Sequence, residues 1–312
     1  MAAELSALKG HDFLSSADFN GAQTQALLTL AADIKAGRRN PRLDGKVLGL
    51  IFSKASTRTR VSFTVAMARL GGQTIDLNPS VSQVGRGEPI KDTARVLSRY
   101  LNAVAIRTFA QSDLQAYADA ASIPIINALT DLEHPCQALA DYLTMQEAFG
   151  SLEGLTMTYV GDGNNVAHSL LIAGALLGVN VRIGCPAGFY PLEKVVAQAK
   201  AIAAGRSEIV ISEDPAEAVR GAHAVYTDVW ASMGQEEEQS TRVQAFRGFC
   251  VDESLMRHAD AKAIVLHCLP AHRGEEISAE VMESSASRIF DQAENRLHAQ
   301  QALLATLLGA EG

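Results

Sequence analysis

The 312-residue sequence contains no run approaching the roughly 20 apolar residues that cross a bilayer, so no membrane-spanning segment is expected. Its start, Met1-Ala2-Ala3-Glu4, lacks the basic stretch and apolar core of a secretory leader, and the expected address is the cytoplasm. Cysteine is scarce. Cys136, Cys185, Cys250 and Cys268 are widely spaced with no C-x-x-C pair, which suggests neither a disulfide framework nor a zinc ribbon and fits reduced thiols in a cytosolic setting. Basic charge is also short. Lys and Arg number 27 against 35 Asp and Glu, and a net charge of -8 repels nucleic acid unless the cations are gathered locally. A small anion stays within reach, because a pocket needs only a few well-placed arginines whatever the global charge.

What remains is ordinary globular composition: 47% apolar and 20% charged residues in a chain long enough for two domains of about 150 residues each. From about Val47 short apolar runs alternate with helical patterns, the arrangement of parallel strands joined by crossover helices, so the class is α/β. Nine strands are expected, at 46–52, 73–77, 103–107, 123–127, 155–160, 179–184, 208–211, 222–228 and 263–268, enough for two sheets. A boundary near Gly150-Ser151 gives domains 1–150 and 151–290, with the helical stretch 137–149 as linker and a final helical segment, 291–312, that packs back on the first domain.

The first strand runs into Ser53-Lys54-Ala55 and then Ser56-Thr57-Arg58-Thr59-Arg60, after which Val61, Phe63, Val65, Met67, Ala68 and Leu70 are expected to make a buried helix. The first turn of a helix offers free backbone N–H groups and the positive end of the dipole, to which three hydroxyls and a guanidinium add donors. A phosphate fits such a start. A plain Ser56 or Thr57 N-cap, with Arg58 and Arg60 on the surface, accounts for the same turn. Four later polar blocks also follow expected strands or open helices, where open α/β sheets bind ligands: Arg107-Thr108, His134-Pro135-Cys136-Gln137, Asp228 to Gln235, and His267-Cys268-Leu269-Pro270. Gly161-Asp162-Gly163-Asn164-Asn165-Val166 fails as a dinucleotide fingerprint, since Val166 stands at the third glycine position and no acidic residue ends the next strand.

Together these blocks resemble the aspartate and ornithine carbamoyltransferase family over nearly the whole chain, about Phe13 to Leu308. The family's signatures are matched by S-T-R-T-R at 56–60, H-P-C-Q at 134–137, G-D-G-N-N at 161–165, S-M-G at 232–234, H-C-L-P at 267–270 and E-N-R at 294–296, where Glu294 is expected to begin the final helix. The resemblance implies two domains, each a parallel sheet flanked by helices, the first binding carbamoyl phosphate and the second ornithine. Carbamoyl phosphate falls to Ser56, Thr57, Arg58, Thr59, Arg107, His134, Gln137, Cys268, Leu269 and Arg296, with Gln83 reaching into a neighbouring subunit's site of a homotrimer. Ornithine falls to Asn165, Asp228, Ser232 and Met233, with Cys268 and Leu269 lining its side-chain channel. Arg107, His134 and Cys268 carry the catalysis, His134 on the carbamoyl oxygen and Gln137 on the carbamoyl amine.

The reaction implied is transfer of the carbamoyl group to the δ-amine of L-ornithine, a step of arginine metabolism needing no metal or organic cofactor. Two rival readings attach to the H-C-L-P block. Cys268 as a covalent nucleophile would need His267 as its base, yet neighbouring strand residues face opposite ways. His267, Cys268 and His272 as zinc ligands lack the usual spacing on one short loop.

Overall fold

The computed structural model describes residues 2–54, 56–78, 87–231 and 239–310. The chain divides into two compact units, one of Met1–Leu143 with Asn295–Gly312 and one of Thr144–Glu294. The division falls once within the helix Pro135–Phe149 and once within the helix Ile289–Leu307. The second of these starts at Ile289, so Glu294-Asn295-Arg296 sits inside the helix and not at its beginning.

Unit 1 is built on β1 (Val47–Phe52), β2 (Gln73–Asp76), β3 (Ala103–Arg107) and β4 (Ile125–Leu129), all parallel, in the order β2-β1-β3-β4 and flanked by helices. The central strands are nearly unbroken apolar runs because both faces are covered, whereas β2, at one edge, is polar and largely exposed. β4 begins two residues later than expected. Pro124 has no N–H to give the ladder and contributes only its carbonyl, to Val104 N. In the helix Thr57–Arg69 and its cap the buried apolar side chains are Phe63, Ala66, Met67 and Leu70, a stripe at helical spacing, while Val61 and Ala68 face solvent. The helix Ile289–Leu307 packs against the N-terminal segment: Asn295 Oδ1 accepts from Lys35 Nζ at 2.8 Å and the Leu307 carbonyl accepts from Gly10 N at 2.9 Å.

Unit 2 holds β5 (Thr156–Val160), β6 (Asn180–Gly184), β7 (Ile209–Ser212), β8 (Ala224–Thr227) and β9 (Ile264–His267), also parallel and flanked by helices, in the order β7-β6-β5-β8-β9. Its core joins Val160, Val225 and Val265 from three adjacent strands to Trp230, Phe246 and Ile289. Both strand orders reverse direction once, between β1 and β3 and between β5 and β8. At such a switch point the loops leaving the carboxyl ends of the two strands diverge and open a crevice.

Candidate functional site

In unit 1 the switch point lies between the turn after β1 and the end of β3, and of the expected anion-binding residues Ser56 pairs with Arg107 there and Thr59 with Arg296. Ser56 precedes the helix Thr57–Arg69 but its side chain makes no capping bond. Its Oγ instead accepts from Arg107 Nη1 at 3.2 Å. A register shift between Ile106 and Arg107 in the β3–β4 ladder marks a bulge there, the device by which a strand end re-aims a side chain. Thr57 and Arg58 are exposed, whereas Thr59 is buried and its Oγ1 accepts from Arg296 Nη2 at 2.7 Å. Two guanidiniums, two hydroxyls and a helix start without a side-chain cap thus share one end of the sheet. This set suits a dianion such as a phosphate monoester.

His134 follows β4 and is buried. Burial first, then the positive charges of Arg296 and Arg107, hold its pKa well below the usual 6.5, so the imidazole is neutral near pH 7. Its loop is pinned by Thr130 N bonding to the Glu133 carbonyl at 2.9 Å and by Ser16 N bonding to the Glu133 carboxylate at 3.0 Å. Burial pushes the neighbouring Cys136 thiol up to about 12, which leaves it a packing residue that donates to the Asn127 carbonyl. Gln137 lies fully inside the first turn of the helix that Pro135 opens.

In unit 2 the switch point lies between the turn 161–165 and the end of β8. The Asp228 carboxylate is held from three directions: Oδ2 accepts from Asn164 Nδ2 at 3.1 Å, and Oδ1 accepts from Val229 N at 2.8 Å and from the Cys268 thiol at 3.0 Å. The Asn164 side chain also caps the helix Asn165–Leu177, accepting from Val166 N and Ala167 N. Asn165, the expected substrate contact, is half-buried at the first position of that helix. Asn164 was missed, although an asparagine just before a helix is the ordinary mark of an N-cap.

His267 ends β9, and neither of its ring nitrogens is turned to Cys268. Nδ1 accepts from Leu269 N at 2.8 Å, which places the proton on Nε2, and Nε2 donates to the buried Glu276 carboxylate at 3.1 Å. Leu269 has a φ of 61°, a left-handed conformation that a leucine adopts only when its surroundings impose it. The ligand atoms of Asp228, His267 and Cys268 lie within 4.8 Å of one another, yet a metal there would displace the bonds that orient His267. Arg242, also missed, is buried against this half: Nη1 reaches Asp162 Oδ2 at 2.7 Å and the Trp230 carbonyl at 2.9 Å, with the guanidinium over the Phe189 ring. Gln83, Ser232 and Met233 lie outside the described residues.

Residues 11–147 match the aspartate/ornithine carbamoyltransferase carbamoyl-P binding domain, and residues 153–307 match the Asp/Orn binding domain of the same family. The chain belongs to the aspartate/ornithine carbamoyltransferase family. Within the family it is 70% identical over 309 residues to an ornithine carbamoyltransferase of Parasynechococcus marenigrum, covering 99% of this chain and 97% of that one. Among solved structures it resembles ornithine carbamoyltransferase from Gloeobacter violaceus, with 56% identity, a TM-score of 0.88 and coverage of 96% of this chain and 98% of that one. It also resembles the Pyrococcus furiosus ornithine carbamoyltransferase, with 48% identity, a TM-score of 0.94 and coverage of 98% and 99%.

Proposed function

We propose that the chain transfers the carbamoyl group of carbamoyl phosphate to the δ-amine of L-ornithine, giving L-citrulline and phosphate, by direct attack through a tetrahedral intermediate with no covalent enzyme species. The observation that carries this reading is the convergence of Arg107, Arg296, Ser56 and Thr59 on one helix start beside a neutral His134. Ser56, Thr57, Arg58 and Thr59 with Arg296 take the phosphate, and the charge-assisted bonds stabilise it as it departs. Arg107, His134 and Thr59 hold the carbamoyl oxygen as it turns negative. A neutral imidazole suits that place, since it can donate a hydrogen bond without the cost of a third buried cation beside two arginines. Donors aimed at developing charge contribute about 3 to 4 kcal/mol each.

The Asp228 carboxylate takes the cationic α-amino group of the acceptor, helped by Asn165, Ser232 and Met233. It would repel a dicarboxylate such as aspartate. A free alkyl amine has a pKa of about 10.4, so presenting it neutral at pH 7 costs roughly 4.6 kcal/mol, about 3.4 units at 1.36 each. Cys268, bonded to Asp228, and Leu269 line the approach and orient the amine or receive its proton, while Leu269 also contacts the carbamoyl group. The reaction is part of arginine metabolism. The cytoplasm is the proposed compartment, on the ground that none of the four cysteines is in a disulfide.

A citrulline colour assay tests the reading. Ornithine with carbamoyl phosphate should give product, and Arg107→Ala should lower kcat by about 10²- to 10³-fold. Product from putrescine alone would make the chain a related amine carbamoyltransferase. Carbamoyl phosphate binding without turnover of either amine would make it a ligand sensor on the same fold.

A further inference from the structure

The helix Pro135–Phe149 carries Gln137 and Asp141 one turn apart on the same face, and both are buried, at 1% and 0% exposure. Gln137 Nε2 donates to Asp141 Oδ1 at 2.7 Å. A side-chain amide looks nearly the same when its oxygen and nitrogen are exchanged, so its orientation is set by its partners. An ionised carboxylate only accepts hydrogen bonds. In this pair the Gln137 nitrogen faces Asp141 and the oxygen faces away. That oxygen, Oε1, is wholly buried and has no hydrogen-bond partner among the described residues. Native proteins rarely leave a buried amide oxygen unmet, and where they do a ligand donor is a frequent explanation.

We infer that Asp141 is a positioning residue that fixes Gln137 with its oxygen presented as an acceptor, and that this acceptor selects a phosphorylated substrate whose carbonyl carbon bears an N–H group. The inference rests on the assignment of Gln137 to the carbamoyl amine and adds the reason for its selectivity. Carbamoyl phosphate and acetyl phosphate are nearly equal in size and charge and differ at one group, NH₂ against CH₃. A Gln137 free to flip would present its NH₂ to the substrate part of the time, a donor that the carbamoyl amine cannot meet, and would weaken the preference for the amine. Locked by a carboxylate, it pairs with the amine and leaves its oxygen unmet against the methyl group. A site built to hydrogen-bond a substrate N–H rejects the analogue that lacks it far better than a pocket of matching shape does. Asp141 therefore acts on discrimination through Gln137, without touching substrate.

The experiment is the citrulline assay with acetyl phosphate as competitor, read as the ratio of its inhibition constant to the KM of carbamoyl phosphate, with inorganic phosphate as a control for the anion subsite. In Asp141→Asn the partner can donate as well as accept, so both amide orientations become allowed. The ratio should fall about 5- to 10-fold, the worth of one neutral hydrogen bond, while the phosphate inhibition constant stays within about twofold of the parent. Parallel weakening of both phosphorylated ligands, with the ratio intact, would mean that the Asp141 pair only stiffens the helix and would overturn the inference. Should Asp141→Asn fail to fold, Gln137→Leu supplies the test: a ratio preserved without the amide refutes selection by Gln137, and a collapsed ratio supports it. A parent chain that makes no citrulline sinks the functional reading and this inference together, whereas an active parent with an unchanged ratio in the variants sinks the inference alone.

Discussion

Gly163, in the turn after β5, is glycine because another backbone lies where a side chain would begin. A β-carbon built on it falls 2.1 Å from Pro191 N and 2.4 Å from the Tyr190 carbonyl carbon, against about 3.5 to 4.0 Å for ordinary contact. Both are main-chain atoms, so no rotamer change relieves the overlap. The two segments are held together by Gly163 N donating to the Phe189 carbonyl at 2.9 Å, and Leu192 N is tied to His168 Nε2 at 3.0 Å. Gly163→Ala must open this approach by more than about 1 Å and give up the first of those bonds. Overpacking of this kind costs about 1 to 3 kcal/mol and the lost hydrogen bond about 1 more, for roughly 2 to 4 kcal/mol in all. In a unit of this size that lowers Tm by about 4 to 16 °C in a calorimetric or circular-dichroism melt. The turn also carries Asn164, which orients Asp228, so the KM for ornithine should rise about tenfold or more while that for carbamoyl phosphate is unchanged. Gly178→Ala is the control. Gly178 has a φ of +71° but its β-carbon would meet nothing closer than 3.5 Å, so only left-handed strain of about 1 to 2 kcal/mol applies. A Gly163→Ala protein as stable as Gly178→Ala, or one with the parental ornithine KM, would refute the reasoning.

Two further measurements concern His134 and the assembly. His134 has a folded-state pKa below its unfolded value of 6.5, so its contribution to stability is complete above pH 6.5 and is lost as pH falls below it, at no more than about 1.4 kcal/mol per pH unit. Urea midpoints taken between pH 8 and pH 5 should therefore drop more steeply for the parent than for His134→Asn; equal slopes would remove His134 as the group responsible. For the assembly, a homotrimer with Gln83 completing a neighbour's site predicts a solution mass three times that of the chain, and a monomeric mass with full activity would contradict it.

Most of the nine strands were legible because they are short apolar runs, and a run buried on both faces announces itself without any partner being known; β2, polar and exposed at its edge, is the exception. Their order was not, since β1 and β3 become neighbours through a crossover that no local pattern encodes. The polar blocks were legible for a similar local reason: Ser56, Arg107, His134 and Asp228 stand where apolar runs stop, at strand ends that parallel sheets reserve for ligands. Periodicity reports which face is buried and says nothing of which polar atom meets which. Thr59 and Arg296 are 237 positions apart, and only the family resemblance brought Arg296 to the site. Arg242 and Asp162, 80 apart, had no such help. Gln137 and Asp141 make the opposite case. Their spacing of four was in plain view and any helical reading puts them side by side, but an i,i+4 pair on an exposed face and a fully buried one are written alike. Exposure leaves the first a minor helix contact, and burial makes the second a constraint on which way the amide faces. Its physical weight lies in the desolvation that makes an unmet acceptor costly, a quantity that exists only once the chain has folded around it.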